Sequence, residues 1–489
     1  MSARALALLE SGRNALFYGG AWQKPHSTSR METVNPATGE SIGSVVDANE
    51  QDVDAAVEAA KTAFKSWRSI TPAQRAGYLF KAAKVLREHA EELAYLDALD
   101  AGLPVARLLT DVEMAAAQIE YFAGLVREIK GETLPLGDGS LNYSVREPLG
   151  VVARIHPFNH PVMFAAGKVA PALAAGNTVV SKPADQTPLS AIALAQIWAD
   201  VFPAGVFNMI TGSRTCGAAL ATHPKVSKVG VIGSVETGKA VLRGAADTFK
   251  KVTLELGGKN ALIAYPDALA EKVAAAAVTG MNLNWTAGQS CGSTTRIYLH
   301  DDIHDAVVEK MVELLGKIKL GIPTDANCDM GCLISEAQCN RVLGYIDSAI
   351  EEGATLSFGG KKPTTPELAN GYYVEPTLFT NVNAQMRIAR EEIFGPVMSV
   401  FRWSDEEQML GEVNGLDYGL AASIWTRDLA TAHKTAARVE AGYIWVNGVG
   451  AHFLGAPFGG YKHSGVGREE CLDDLLAQTQ LKNINVKFD

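Results

Sequence analysis

The chain has 489 residues, of which 47% are hydrophobic and 20% charged. At about 150 residues per domain this predicts three domains or two large ones, and it excludes a disordered, collagen-like or coiled-coil chain. Lys and Arg total 44 against 54 Asp and Glu, a net charge of −10, which argues against general nucleic-acid or anionic-membrane binding. The 6 cysteines are too sparse for a disulfide scaffold and fit a reducing compartment. Met1 to Leu16 lacks the apolar core and cleavage site of a signal peptide, so a cytoplasmic location is expected.

In chain order, Glu50–Trp67 carries Val53, Ala56, Val57, Ala60, Phe64 and Trp67 at helical spacing. Thr71-Pro72-Ala73-Gln74 reads as a capping box with proline at the first helical position, opening a helix that runs to Gly102. A third helix is expected over about 111–130. Beyond it the pattern changes to short buried strands at Val151–Ile155, Thr178–Ser181, Val206–Ile210, Lys228–Ile232 and Val252–Leu256, with helical stretches near 162–174, 188–201, 214–221 and 236–247 between them. This βαβ alternation implies a mainly parallel sheet covered on both faces. A second series starts near Ala261, with strands at Arg296–Leu299, Val397–Phe401, Ala421–Trp425 and Tyr443–Val446. The fold class expected is therefore α/β, two doubly wound domains joined near 257–260.

Thr133–Arg146 and Leu481–Phe488 read as strands that leave the main body to pair with another subunit, or else as a surface hairpin and a tail. The run Val273–Thr295 carries no formal charge but contains Asn282, Asn284 and Gln289, so it lines a buried cavity rather than crossing a membrane.

Four places carry candidate chemistry. Cys291 lies between small residues in that uncharged run, as an accessible nucleophile or as a buried structural thiol. Glu255 is embedded in an apolar strand, where burial would raise its pKa toward that of a general base, unless Lys259 pairs with it. Asn159, between Pro157 and Pro161, presents an amide as an oxyanion donor or stabilises a turn. Gly233-Ser234 follows a strand and opens a helix, as a phosphate site or a simple N-cap. No Gly-x-Gly-x-x-Gly fingerprint occurs at a strand end. The spacing of Cys328, Cys332 and Cys339 fits no tight zinc pattern, so no metal is expected.

Taken together, Pro157–Asn159, Ser181–Asp185, Gly233–Gly238, Leu254–Lys259, Gly288–Cys291, Glu391–Pro396 and Pro457–Lys462 resemble the aldehyde dehydrogenase superfamily, in its order and from Trp22 to the C-terminus. The resemblance implies a Rossmann-like cofactor-binding domain (residues 1–130 and 147–257), a catalytic domain (258–460), and a small β extension for oligomerisation (131–146 and 475–489). It implies Cys291 as nucleophile, Asn159 as oxyanion donor, Glu255 as the base that hydrolyses a thioester, and Lys168 and Glu469 on a proton path. For Lys168 a surface ion pair is the competing reading. The presence of Glu255 favours a free acid over a CoA thioester as product. The cofactor implied is NAD, held by Ile155, His156, Pro157, Phe158, Lys182, Asp185, Gly233, Ser234, Leu256, Gly257, Glu392 and Phe394. A carboxylate at Asp185 would repel a 2′-phosphate, although this short side chain leaves some room for NADP. Phe158 stands where many relatives have Trp. The partners expected are a small-molecule aldehyde and further copies of the chain, as homodimer or homotetramer.

The substrate tunnel implied by the same matching is walled by His160, Met163, Phe164, Gly167, Met281, Trp285, Val449, His452 and Phe453. Gly167 stands where many relatives carry Trp, which is expected to open the tunnel and remove an aromatic wall suited to a trimethylammonium group. Trp285 and Phe453 are expected to stack on a ring, and His160 and His452 to meet a carboxylate or phenol on it. His452–Pro457 with Gly465–Cys471 is similar to the branch acting on substituted benzaldehydes, 2-carboxybenzaldehyde included. The expectation is an aromatic aldehyde. The rivals are an aliphatic aldehyde, a semialdehyde (which would call for a tunnel Arg or Lys), betaine aldehyde, a cysteine hydrolase, or a non-catalytic protein on the same fold.

Overall fold

The computed structural model describes residues 2–488. Two large sheets dominate it. The first has eight strands in the order Ala21–Gln23, Leu16–Tyr18, Phe207–Met209, Thr178–Lys182, Val151–Ile155, Val226–Ile232, Lys251–Glu255, Gly465–Val466. Its five central strands are parallel, and antiparallel strands close both edges. The second has seven strands in the order Thr355–Phe358, Thr377–Thr380, Val397–Trp403, Arg296–His300, Ala261–Ala264, Ala421–Trp425, Tyr443–Val446, all parallel except the first.

The central strands are buried on both faces, which is why Val151–Arg154, Thr178–Lys182 and Ala261–Ala264 lack polar alternation. Helices Glu50–Trp67, Pro72–Glu88, Ala90–Ala101 and Val105–Gly124 pack around the first sheet. The Thr71 capping box forms as expected, with Thr71 Oγ1 accepting from the Gln74 N–H and the Gln74 side chain accepting in return. The helix opened there does not run to Gly102. It breaks at His89, whose φ of −114° and ψ of 21° are non-helical, and restarts at Ala90. The next helix begins at Val105, straight after Pro104, rather than near 111. Asp111 lies inside it, fully buried, and is not a helix start.

Among the parallel strands of the first sheet the chain starts at the central Val151–Ile155, moves outward through Thr178–Lys182 and Phe207–Met209, and returns to the other side at Val226–Ile232. This reversal opens a crevice beyond the carboxyl ends of Val151–Ile155 and Val226–Ile232, the usual ligand position in such a sheet. Residues 156–159 and 233–234 follow those two strand ends directly.

The two segments expected to pair with another subunit pair with each other. Thr479–Lys487 runs antiparallel to Ser140–Pro148 over its whole length, with Thr133–Leu134 on the far side. Asn177 anchors this sheet to the body. Its Nδ2 donates to Gln478 O (2.9 Å) and Ala172 O (3.1 Å), and its Oδ1 accepts from Gly150 N (2.9 Å). Asn177→Ala strands buried polar groups at the root of that sheet, so it should lower stability by about 2 kcal/mol or more in urea unfolding. An unchanged midpoint would show that the anchor is dispensable.

Candidate active site

Cys291 sits on a loop between the short helix Leu283–Thr286 and the strand Arg296–His300. The loop is fixed by side chains rather than by regular structure. Asn260 Nδ2 donates to the carbonyls of Cys291 (2.7 Å) and Ser293 (3.0 Å), while its Oδ1 accepts from Ala421 N (3.0 Å). Gln289 Oε1 accepts from Ile334 N (3.0 Å), and its Nε2 donates to Thr286 O (3.0 Å). Gly288 has a φ of +76°, and a Cβ there would lie 2.4 Å from Gly395 O, so the backbone approach admits only glycine.

Glu255 ends the last parallel strand of the first sheet, facing this loop. It is buried, and neither carboxylate oxygen has a hydrogen-bond partner. Burial first, then the nearby Glu469 charge, push its pKa well above the ordinary carboxylate range. Lys259 does not pair with it, since the Lys259 ammonium is itself buried without a partner. Burial, followed by the charges of Glu392 and Glu255, also pushes the Cys291 thiol up to about 12. Asn159 Nδ2 donates one hydrogen to Gln289 O (2.9 Å), which fixes the amide and leaves the second N–H free. The Cys291 backbone N–H donates to no protein acceptor. Two donors are thus available beside the thiol for a developing oxyanion.

Lys168 is buried rather than on the surface. Its Nζ lies 3.0 Å from Glu469 Oε2 and 2.9 Å from Glu470 Oε1, while Arg154 donates to Glu469 Oε1 at 2.9 Å. Burial alone would lower Lys168 and raise both glutamates. The ion pairs win, holding Lys168 above the ordinary lysine range and both carboxyls below theirs.

Cavities meet at Cys291. One of about 570 Å³ is lined by Phe158, Gly233, Ser234, Gly257, Glu392 and Phe394, and also by Asn159, Glu255 and Cys291. It continues into a groove of about 510 Å³ bordered by Ile155, His156, Lys182 and Asp185. From the opposite side a narrower cavity of about 100 Å³ reaches the same Asn159, Glu255 and Cys291.

The model of the aldehyde dehydrogenase family matches residues 22–484. The chain belongs to the aldehyde dehydrogenase family. It is 51% identical over 481 residues to the aldehyde dehydrogenase tropH of Talaromyces stipitatus, covering 97% of this chain and 93% of that protein. Its fold matches the NAD⁺ complex of an aldehyde dehydrogenase from Bacillus cereus with a TM-score of 0.96 and 38% identity, covering 100% and 99% of the two chains. It also matches a betaine aldehyde dehydrogenase from Staphylococcus aureus in complex with NAD⁺, at a TM-score of 0.94 and 35% identity over 98% and 96%.

The long groove gathers most of the residues expected to hold the cofactor. Ser234 caps helix Val235–Ala246, accepting from Thr237 N at 3.2 Å, and the first N–H groups of that helix face the groove without intrahelical acceptors. Glu392 Oε1 accepts from Gly258 N at 2.9 Å, and a Cβ at Gly257 would collide with its carboxylate, so the Gly257-Gly258 turn seats this side chain. Phe394, at a φ of +58°, meets Phe158 edge-on at 5.7 Å. Lys182 Nζ donates to Pro183 O, and Asp185 lies on the groove wall. Leu256 does not line the groove; it is buried against Gly238.

At the narrow cavity several expectations about the tunnel wall fail. Gly167 does not open it, because a Cβ there would strike Gln118 Oε1 at 2.3 Å, with Ala115 Cα at 3.5 Å. Its neighbour is helix Val105–Gly124, not the cavity. Met281 is fully buried behind the wall. Val449 lines a different cavity, beside Leu269 and Trp425. Phe453 points to solvent, 63% exposed. His160, Met163, Phe164, Trp285 and His452 do line it, joined by Met114, Trp445, Phe458 and Glu470, which sequence reasoning missed. Lys168 also reaches this wall, where no cation was expected. Among the described residues no cluster is suited to a metal ion.

A raised Glu255 pKa has a thermodynamic consequence. The folded state needs the protonated carboxyl, while the unfolded chain ionises near 4.5, so Glu255 costs stability increasingly as pH rises above that value. Glu255→Gln should therefore melt above the parent at about pH 8, with a gap that shrinks toward about pH 4.5. A gap independent of pH would show that the carboxyl is not held protonated.

Proposed function

We propose that the protein oxidises an aldehyde to its carboxylic acid with NAD⁺, through covalent chemistry at Cys291. The observation that carries this is the convergence of thiol, unpaired carboxyl and free N–H donors where a long groove meets a compact cavity. Glu255 in its ionised form takes the thiol proton of Cys291, the resulting thiolate adds to the aldehyde carbon, and the carbonyl oxygen becomes an oxyanion held by Asn159 and the Cys291 N–H. NAD⁺ held in the groove would supply positive charge near the thiol and a hydride acceptor, so that loss of hydride from that carbon would leave a thioester on Cys291. Glu255 first gives up the proton it holds and, ionised, takes a proton from water; the water oxygen attacks the thioester carbon, and the acid departs as the thiolate is restored. The proton leaves Glu255 toward the Lys168–Glu469–Glu470 cluster. The groove fits the dinucleotide: helix N–H groups of Val235 and Glu236 for the pyrophosphate, Asp185 and Lys182 for the adenosine ribose, and Glu392 for the nicotinamide ribose. The Asp185 carboxylate favours NAD over NADP. We assign residues 1–130 and 147–257 to the cofactor and 258–460 to catalysis.

The substrate is an aromatic aldehyde on this reading. The cavity is compact and walled by the aromatic side chains of Phe164, Trp285, Trp445 and Phe458. With Gly167 out of the wall, its small size is no ground for rejecting betaine aldehyde, so that aldehyde stands as the alternative. NADH formation with benzaldehyde, 2-carboxybenzaldehyde, betaine aldehyde, succinic semialdehyde and hexanal should favour the ring compounds and vanish in Cys291→Ala. Higher kcat/KM for betaine aldehyde or hexanal would overturn the aromatic assignment alone.

The three-stranded sheet is the oligomerisation element. Thr479–Lys487 is a nine-residue edge strand, and Leu481 and Phe488 on or beside it are 61% and 51% exposed. Long uncovered edges of this kind are paired or shielded in native proteins. Light scattering should find a homodimer or homotetramer, and a monomer would refute this assignment. All cysteines among the described residues are free, in keeping with a cytoplasmic enzyme, and no helix there is long and apolar enough to cross a membrane.

A further inference from the structure

Two histidines on the substrate wall share one construction. His160 Nδ1 lies 2.9 Å from Asp111 Oδ2, and the same carboxylate accepts the Trp285 indole N–H at 2.9 Å through Oδ1. His452 Nδ1 lies 3.1 Å from Glu470 Oε2, whose other oxygen accepts from Lys168 at 2.9 Å. Both rings are locked by aromatic neighbours. His160 meets Phe164 and Trp285 edge-on at 5.5 and 5.6 Å, and His452 lies 4.3 Å from Phe458 and 5.9 Å from Tyr443. Neither Nε2 has a hydrogen-bond partner among the described residues, and both residues line the cavity.

A carboxylate only accepts, so each ring carries its proton on Nδ1. In the uncharged form of the ring this leaves Nε2 a bare lone pair. The only cation on the cavity wall, Lys168, is already committed to Glu469 and Glu470. The wall therefore offers hydrogen-bond acceptors and no free positive charge, which suits a neutral donor and not an anion. We propose that the aldehyde taken by this site carries a hydroxyl group that donates to one of two acceptors on the wall, Nε2 of His160 or Nε2 of His452, each ring fixed through Nδ1 by a buried carboxylate. The inference rests on the aldehyde-oxidising reading above, and it names a hydroxylated aromatic aldehyde in preference to a carboxylated one.

The test uses matched pairs: benzaldehyde against 3- and 4-hydroxybenzaldehyde, and hexanal against 6-hydroxyhexanal, with 3-carboxybenzaldehyde as the anionic arm. In the parent enzyme the better-placed ring hydroxyl should raise kcat/KM about tenfold, mainly through KM. That ratio should collapse toward one in His452→Phe or His160→Phe. His452→Gln keeps an acceptor oxygen at the same reach and should restore part of it, a rescue that packing alone would not give. A hydroxyl effect seen only in the aliphatic pair and lost in His452→Phe would uphold the recognition while overturning the aromatic assignment. No hydroxyl preference in any pair, a preference unchanged in both Phe variants, or a higher kcat/KM for 3-carboxybenzaldehyde would overturn the proposal.

Discussion

The site is organised around a carboxyl group that the fold leaves without a partner. Glu255 is 4% exposed and makes no hydrogen bond through either oxygen. A buried carboxylate in that state is costly, and the group resolves the cost by keeping its proton. Its neighbours reinforce this. Glu469 is ionised by Arg154 and Lys168, so a second negative charge already stands nearby. One carboxyl is thus held charged and the other neutral by their different partners. For the base role proposed above Glu255 must therefore first give up this proton, and the ionised cluster beside it is the nearest place for it to go.

That carboxyl is placed by topology. The last parallel strand of the first sheet delivers Glu255 at its carboxyl end, and residues 256–260 carry the chain directly into the first strand of the second sheet. Asn260, at the end of this link, holds the carbonyls on either side of Gly292. Base and nucleophile are therefore fixed by one short segment, and their separation does not depend on how two loops happen to settle. Ser464 adds a second tie by donating to Gly257 O at 2.8 Å and accepting from Gly419 N at 2.9 Å. The reversal of strand order in the first sheet then supplies the cofactor groove at the same end.

The parts of this arrangement readable in the sequence are those where a residue type conflicts with its local pattern. A glutamate in an apolar strand, a cysteine among small residues and an uncharged polar run each signal a burial that packing alone does not explain. The parallel strands were readable for the converse reason, since unbroken apolar runs have little else to form. Orientation was not readable. Gly167 falls one helical turn after Met163 and Phe164, on the stripe that faces the cavity. By that turn helix Val105–Gly124 has come into contact, and Gln118 fills the space. Likewise His452 points inward and Phe453 outward, an alternation set by the loop after Tyr443–Val446. Asp111 escaped notice because its partners, His160 and Trp285, are distant in the chain.

Lys168 joins the two functions of the site. Its ammonium lies between Glu469, which bears on the base Glu255, and Glu470, which anchors His452 on the substrate wall. Removing either carboxylate would leave the other as the lysine's sole counter-ion, so Glu469 beside Glu255 and Glu470 beside His452 depend on the same cation. On the reading proposed above, recognition of the substituent and activation of water would draw on a single buried cation. Such coupling penalises any substrate that brings its own anion to that wall, because the newcomer would compete with Glu469 and Glu470 for Lys168. A neutral donor leaves the cluster intact, and the base keeps the environment that makes it one.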